Sequence, residues 1–128
     1  MNEFTLAVVG IDHANADGSN RRFELALCAP GERVELRPEP RNKHDRFAVA
    51  VFSARGQQIG YLTAERAPWI GSRIRAGEEL AAVFQGLQGS AAYIRVRFGG
   101  GAPTLPQPRE QAPPADFEPD PDGRIWGA

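Results

Sequence analysis

Short apolar and alternating segments recur along residues 1–98 and predict a mainly β domain. Residues 4–9 form an apolar run that ends at Gly10, as is typical of a strand. Further strands are predicted over residues 33–37, 47–52, 57–62, 80–87 and 92–98. Val34 and Leu36 alternate with charged residues, so they are expected to face the core. Six short strands of this kind favour a small barrel over a sheet of βαβ units.

One or two short helices are expected between these strands. Ser19 can cap a short helix over residues 20–28, in which Phe23, Ala26 and Leu27 would share one face. The same segment also alternates at Phe23, Leu25 and Leu27, which is typical of a strand. Both interpretations stay open.

A second helix is predicted to begin with Thr63 as its N-cap and to continue to about Arg75, before Gly77. Proline has no backbone N–H and disrupts the interior of a helix. Pro68 is therefore expected either to divide this helix or to begin a new one.

Residues 99–128 differ in composition from the preceding part of the chain. Three glycines open the segment, and seven prolines follow. Such a composition cannot support regular hydrogen bonding or bury much surface, so residues 1–98 are predicted to form the domain and residues 99–128 a disordered, acidic tail. The tail is either solvated or a short peptide that docks on a partner, or back on the domain, through Phe117, Ile125 and Trp126.

Charge, cysteine content and hydropathy narrow the class of protein. The net charge is −1, which is far from the basic surplus of a nonspecific duplex binder, so any nucleic-acid site should be local. Cys28 is the only cysteine, which excludes an intramolecular disulfide and agrees with a reducing cytoplasm; it is expected to be a small core residue. No apolar run approaches the roughly 18 residues of a membrane span, and the N-terminus does not resemble a secretory signal. A cytoplasmic protein with no membrane partner is expected.

One stretch carries a distinctive motif. Residues 36–51 read LRPEPRNKHDRFAVAV, and residues 59–62 read IGYL. The residue before a proline is restricted to extended geometry, and Asn42 and Asp45 can hold a tight loop by bonding backbone N–H groups. This order of elements resembles the signature of the HIRAN family, and the resemblance covers residues 4–98. It implies an OB-like barrel that grips the 3′-hydroxyl end of single-stranded DNA.

The resemblance also implies which residues bind. Asn42 and Asp45 match the family's binding loop, Asp45 as an acceptor for the terminal hydroxyl, while His44 replaces a loop aromatic and Tyr61 would stack on a base. Asp12 and His13 stand where the family has an Arg-Tyr pair, so flanking cations would have to supply the phosphate contacts. The candidate nucleic-acid-binding residues are His13, Arg37, Arg41, Asn42, Lys43, His44, Asp45, Arg46 and Tyr61. DNA ends, and a helicase or nuclease acting on them, are the expected partners.

Two other functions stay open beside DNA binding. His13, His44 and Asp45 would form an open three-ligand zinc site if they met in space, as in a metal-dependent hydrolase of phosphoesters or acid anhydrides. Two histidines and one cysteine cannot form a Cys₄ or Cys₂His₂ site, and there is no phosphate-binding P-loop sequence, so no cofactor is expected. The remaining alternative is a peptide-binding domain. For Asn42, Asp45 and Tyr61 themselves, a purely structural role is the competing interpretation.

Overall fold

The computed structural model describes residues 2–106 and shows six strands and two helices. In chain order these are β1 (Glu3–Val9), α1 (Arg21–Leu27), β2 (Glu35–Pro38), β3 (Val49–Phe52), β4 (Gln58–Leu62), α2 (Ala67–Arg75), β5 (Leu80–Gln88) and β6 (Ala91–Phe98). The strands form one sheet in the order β2-β3-β4-β1-β6-β5, with every neighbouring pair antiparallel. The predicted mainly β fold with six strands and two short helices is therefore confirmed.

The sheet curls until its two outer strands approach each other. The residues just before β2 bond to β5: the N–H of Gly31 donates to the carbonyl of Phe84 (2.8 Å), and the N–H of Phe84 donates to the carbonyl of Glu32 (2.7 Å). A third bond joins the N–H of Val34 to the carbonyl of Ala82 at 3.0 Å. Together with an isolated bridge between Arg33 and Val83, these contacts join the chain just before β2 to β5, so the curled sheet forms a half-barrel.

The barrel interior holds the core. Along β6 the residues alternate between half-buried and buried, so that Ile94, Val96 and Phe98 face inward, as the period of a strand requires. One buried residue from each helix, Leu25 of α1 and Ile70 of α2, joins this cluster. The helices therefore belong to the same core as the strands.

Helix α1 differs from its prediction in both its cap and its buried face. Asn20 is the N-cap, and its Oδ1 accepts from the N–H of Phe23 at 2.9 Å; Ser19, the predicted cap, bonds Asp17 instead. Phe23 and Leu27, from the predicted apolar face, are 68% and 50% exposed. The predicted face was wrong because polar residues of the helix occupy the buried side.

A buried polar cluster explains this orientation of α1. The carboxylate of Glu24 accepts hydrogen bonds from Ser53 Oγ (2.6 Å) and from Arg55 Nε (2.6 Å). Since a buried carboxylate is stable only when it is paired and hydrogen-bonded, these partners fix which side of α1 faces the barrel. Nearby Cys28 is half-buried, and burial raises the pKa of its thiol.

Helix α2 begins at Ala67, with Pro68 in its first turn, where a missing N–H costs little. Residues 64–66 form a turn before it, and Thr63 Oγ1 accepts from the N–H of Arg66 at 3.3 Å. Of the two predicted roles for Pro68, starting a helix is the one observed. In residues 2–106 neither helix is long and apolar enough to cross a membrane.

The segment after β6 lies against the barrel as far as it is described. The N–H of Thr104 donates to Glu3 Oε2 at 2.7 Å, and Arg97 Nε donates to the carbonyl of Gly100 at 2.9 Å. The last strand ends at Phe98, where the domain was predicted to end. Residues 107–128, including the proposed docking side chains Phe117, Ile125 and Trp126, lie outside the described part of the chain.

Candidate nucleic-acid interface

Residues 39–47, here called the Asn42 loop, connect β2 to β3 and are held by their own side chains. Asn42 Oδ1 accepts from the N–H groups of His44 (2.8 Å) and Asp45 (3.0 Å). Asn42 Nδ2 donates to Glu39 Oε1 at 2.9 Å, and Asp45 Oδ1 accepts from the N–H of Phe47 at 2.8 Å. The expected bracing roles of Asn42 and Asp45 are therefore seen in the structure.

Bracing and exposure divide the side chains of the loop into two groups. Glu39, Asn42 and Asp45 are half-buried, whereas the other polar side chains of the loop are exposed. The exposed residues are Arg41, Lys43, His44 and Arg46. Within residues 2–106 none of the three cations among them forms an ion pair. The loop thus presents three positive charges and an imidazole on a backbone that its own amide and carboxylate hold in place.

Tyr61 supports this loop from β4. Its hydroxyl donates to Glu39 Oε1 at 2.9 Å, so the carboxylate oxygen that accepts from Asn42 also accepts from Tyr61. Tyr61 pairs with Ala50, which pairs with Arg37, so the three side chains share the outward face of the sheet. The structure therefore brings Tyr61 to the base of the loop, as a brace and as a neighbouring aromatic.

The close approach of β1 to β4 explains why the residue before Tyr61 is a glycine. A Cβ at this position would lie 2.5 Å from the carbonyl oxygen of Val9 and 2.8 Å from Val8 Cγ1. The backbone also has a φ of 155°, which side-chain-bearing residues rarely adopt. Only glycine lets β1 pass this close to β4, and this approach sets the position of Tyr61.

Arg21 contacts Tyr61 beside the candidate site, although no sequence pattern pointed to it. It is the first residue of α1, is only 7% exposed, and its guanidinium carbon lies 5.5 Å from the centroid of the Tyr61 ring. Nε donates to Asn15 Oδ1 at 2.7 Å and Nη1 donates to the carbonyl of Gly10 at 2.8 Å. No sequence signal distinguishes Arg21 from its exposed neighbour, because the contact with Tyr61 spans 40 positions of the chain.

Phe47 is the second missed residue. It was predicted to open a strand, but β3 begins only at Val49, and Phe47 is 42% exposed beside the Asn42 bracing network. The guanidinium carbon of Arg46 lies 5.0 Å from the centre of its ring. The loop therefore displays an aromatic ring with a cation beside it, a pairing suited to stacking on a base.

Arg37, predicted to contact a phosphate, is already paired with other side chains of the sheet. Its guanidinium binds Glu35 Oε1 at 3.0 Å and lies 3.9 Å from the centre of the Phe52 ring. The hydrogen bond from Arg37 lowers the pKa of the Glu35 carboxyl. A shallow cavity of about 380 Å³ is lined by residues 39–42 of the Asn42 loop.

Asp12 and His13 follow β1 in a turn. Asp12 forms an ion pair with Arg22, whose Nη2 also donates to the carbonyl of Gly89 at 3.0 Å. This pairing offsets the negative charge that would otherwise repel a phosphate. His13 is exposed, and its backbone N–H donates to the carbonyl of Gly10 at 3.2 Å.

The alternative metal site is not formed. In the described part of the chain no three His, Cys, Asp or Glu side chains come close enough to hold a metal ion. His13, His44 and Asp45 therefore do not converge, because His13 follows β1 while the other two belong to the loop between β2 and β3. The zinc-hydrolase alternative loses the ligand set on which it depended.

A larger groove, of about 840 Å³, lies away from the Asn42 loop. Its walls come from β5, from the turn between β3 and β4, and from the region around Arg33 and Leu36. Ala102 and Pro103, which follow β6, form part of its rim. The segment after β6 thus supplies part of the groove lining.

Comparison with known proteins agrees with this architecture. The model of the HIRAN domain family matches residues 2–96. The HIRAN domain of human HLTF is similar in structure, with a TM-score of 0.59, 20% identity, and coverage of 76% of this chain and 74% of that one. A protein of Lactobacillus plantarum solved by structural genomics has the same TM-score of 0.59, with 19% identity and coverage of 76% and 93%. No curated protein matches the sequence. Since the family model spans most of the chain, this protein belongs to the HIRAN family.

Proposed function

We propose that this protein is a DNA-binding module, non-catalytic on its own, that holds the end of a single DNA strand at the Asn42 loop. One observation carries the proposal. The loop is fixed by the half-buried Asn42 and Asp45, while its cations and its rings point to solvent. Family membership supports a nucleic-acid ligand, and a rigid loop of this kind binds with little loss of conformational entropy.

Each part of a DNA strand end has a matching group on the loop. Arg41, Lys43 and Arg46 suit the phosphates. His44 and Phe47 offer rings on which bases stack, a contact worth about 1–3 kcal/mol per base. Asp45 uses Oδ1 for the N–H of Phe47, which leaves its other carboxylate oxygen to accept a bond from a terminal 3′-hydroxyl. In this proposal Tyr61 acts mainly through Glu39, as a brace of the loop.

The binding assay is fluorescence anisotropy with a ten-nucleotide single strand that ends in a free 3′-hydroxyl. Matched probes are the same strand with a 3′-phosphate, its RNA equivalent and a blunt duplex. The unmodified single strand is expected to bind tightest. Two or three phosphate contacts would give a slope of log K against log salt of about −1.4 to −2.1.

Variants connect the binding to the loop. Lys43→Ala and Phe47→Ala are expected to weaken binding of the single strand, because one removes a charge and the other a stacking ring. Arg75→Ala removes an exposed charge at the end of α2 and serves as the matched control. Absence of binding to every probe at low salt would refute the proposal, as would equal losses for the loop and control variants.

A helicase or nuclease is the partner expected in this proposal, because a module that only holds an end needs another protein to unwind or cut the strand. Co-purification with tagged protein from cells exposed to a DNA-damaging agent tests this association. The Lys43→Ala variant, which keeps the fold, distinguishes a partner bound directly from one recruited through DNA.

Peptide binding is the second candidate, and the larger groove favours it. An extended segment that includes Ala102 and Pro103 already lies at the groove rim. The chain can be shortened after Pro106, which keeps the contact between Thr104 and Glu3. If this truncation exposes the groove to a fluorescent copy of residues 107–128, the tail is the peptide; if the copy does not bind, this candidate fails.

A further inference from the structure

Arg21 is a buried cation that has no anionic partner within the described residues. Its hydrogen bonds go to two neutral oxygens, Asn15 Oδ1 and the carbonyl of Gly10, and they use Nε and Nη1. Among residues 2–106 Nη2 makes no hydrogen bond, and no carboxylate lies within ion-pair distance. Burying an unpaired charge is costly, so this guanidinium favours the approach of an anion.

The side of Gly10 that carries no side chain lies next to Arg21. At the position that a Cβ of Gly10 would take, Arg21 Nη1 is 3.5 Å away and His13 Cδ2 is 3.7 Å away. Arg21 and the exposed His13 thus flank the side of Gly10 that carries no side chain. Gly10 has a φ of 73°, a conformation that disfavours any residue that would fill this space.

Tyr61 joins this location to the Asn42 loop. Arg21 lies over the Tyr61 ring, and the Tyr61 hydroxyl bonds Glu39 at the start of the loop. Tyr61 therefore contacts both Arg21 and the first residue of the loop. A strand whose end is held at the loop can pass Arg21 with one of its phosphates.

We propose that Arg21 and His13 form a phosphate-binding subsite beside Tyr61, occupied by one backbone phosphate of the bound strand. This inference rests on the proposed function and names a contact that lies outside the loop. The planar guanidinium fork suits a phosphate oxygen pair, and the imidazole edge supplies a second donor. Asp12, which directly precedes His13, is held by Arg22 and does not compete.

The test replaces single phosphates of the ten-nucleotide strand with neutral methylphosphonates, one position at a time. With the unaltered protein, one position is expected to cost about tenfold in affinity beyond the loss at its neighbours, as for removal of a charge-assisted hydrogen bond. With Arg21→Gln, replacing the phosphate at that position should reduce the affinity no more than replacing a neighbouring phosphate. Arg75→Gln also removes one positive charge, but from α2. The extra loss of affinity at that phosphate position should therefore remain as large as in the unaltered protein.

Further variants distinguish loss of the phosphate contact from loss of folding. His13 is exposed, so His13→Ala should fold normally and reduce the cost at the same position. Arg21→Lys keeps the positive charge but lacks the planar guanidinium. It is expected to restore part of the extra loss of affinity at that phosphate position. If the Arg21→Gln protein binds weakly but still loses extra affinity at that phosphate position, Arg21 has a structural role. This result would overturn the inference and leave the proposed function intact. If the unaltered protein binds no DNA, both fail together.

Discussion

Replacing Gly60 by alanine tests how the fold positions the site. The added Cβ would lie 2.5 Å from the carbonyl oxygen of Val9, whereas carbon and oxygen atoms normally approach no closer than about 3.3 Å. Strand β1 would have to retreat by roughly 0.8 Å, which disturbs its pairing with Tyr61. Overpacking costs about 1–3 kcal/mol and the unfavourable φ about 1–3 kcal/mol more, so the expected loss is about 2–6 kcal/mol of unfolding free energy.

Gly56 provides the matched control for this substitution. It also has a positive φ, of 82°, but no atom lies within 4 Å of the position that its Cβ would take. Gly56→Ala should therefore cost only the backbone part, about 1–2 kcal/mol. Urea unfolding of the two variants measures the difference directly. Equal losses would refute the argument that the close approach of β1 requires Gly60.

Three further predictions concern the loop, the cysteine and the segment after β6. Asn42→Ala removes the acceptor for two loop N–H groups, so the free energy of unfolding should fall by about 1–2 kcal/mol. The free energy of single-strand binding should fall by more than this. Urea unfolding measures the first effect and anisotropy the second. Cys28 should react with iodoacetamide at pH 7 more slowly in the native protein than in urea, because burial raises its pKa, and equal rates would contradict its burial. The hydrogen bond from Arg95 and the N–H of Thr104 lower the pKa of Glu3, so the stabilisation they give is present above the usual value of 4.5 and is lost as the pH falls through the lowered value. Amide exchange of Thr104, corrected for intrinsic rate, should accelerate in that acid range, and Glu3→Gln should abolish this dependence.

The strands were predictable because their residues alternate or form short apolar runs between turns. The Val34 and Leu36 pattern placed both in the core, where they are 5% and 8% exposed. The face of α1 was not predictable in the same way. Its buried side carries Glu24, and the partner Arg55 that makes this burial possible lies 31 positions along the chain. Long-range pairing of polar groups decided the orientation against the apolar pattern.

The site shows the same division between local and distant causes. The bracing by Asn42 and Asp45 was predictable, since both bond N–H groups two or three positions along the chain. The contacts of Tyr61 with Glu39 and Arg21 join separate elements and have no local signal. Phe47 was assigned to a strand because it opens the apolar run of residues 47–52, but the bond from its N–H to Asp45 keeps it in the loop.

The most direct measurement is an NMR titration of the ¹⁵N-labelled protein with the single strand that ends in a 3′-hydroxyl. Binding at the proposed site predicts that the largest amide shift changes fall on residues 41–47 and on Tyr61, and that a 3′-phosphate weakens them. Shift changes concentrated at Arg33, Leu36 and residues 80–83, which line the larger groove, would contradict the assignment of the Asn42 loop as the DNA-binding site.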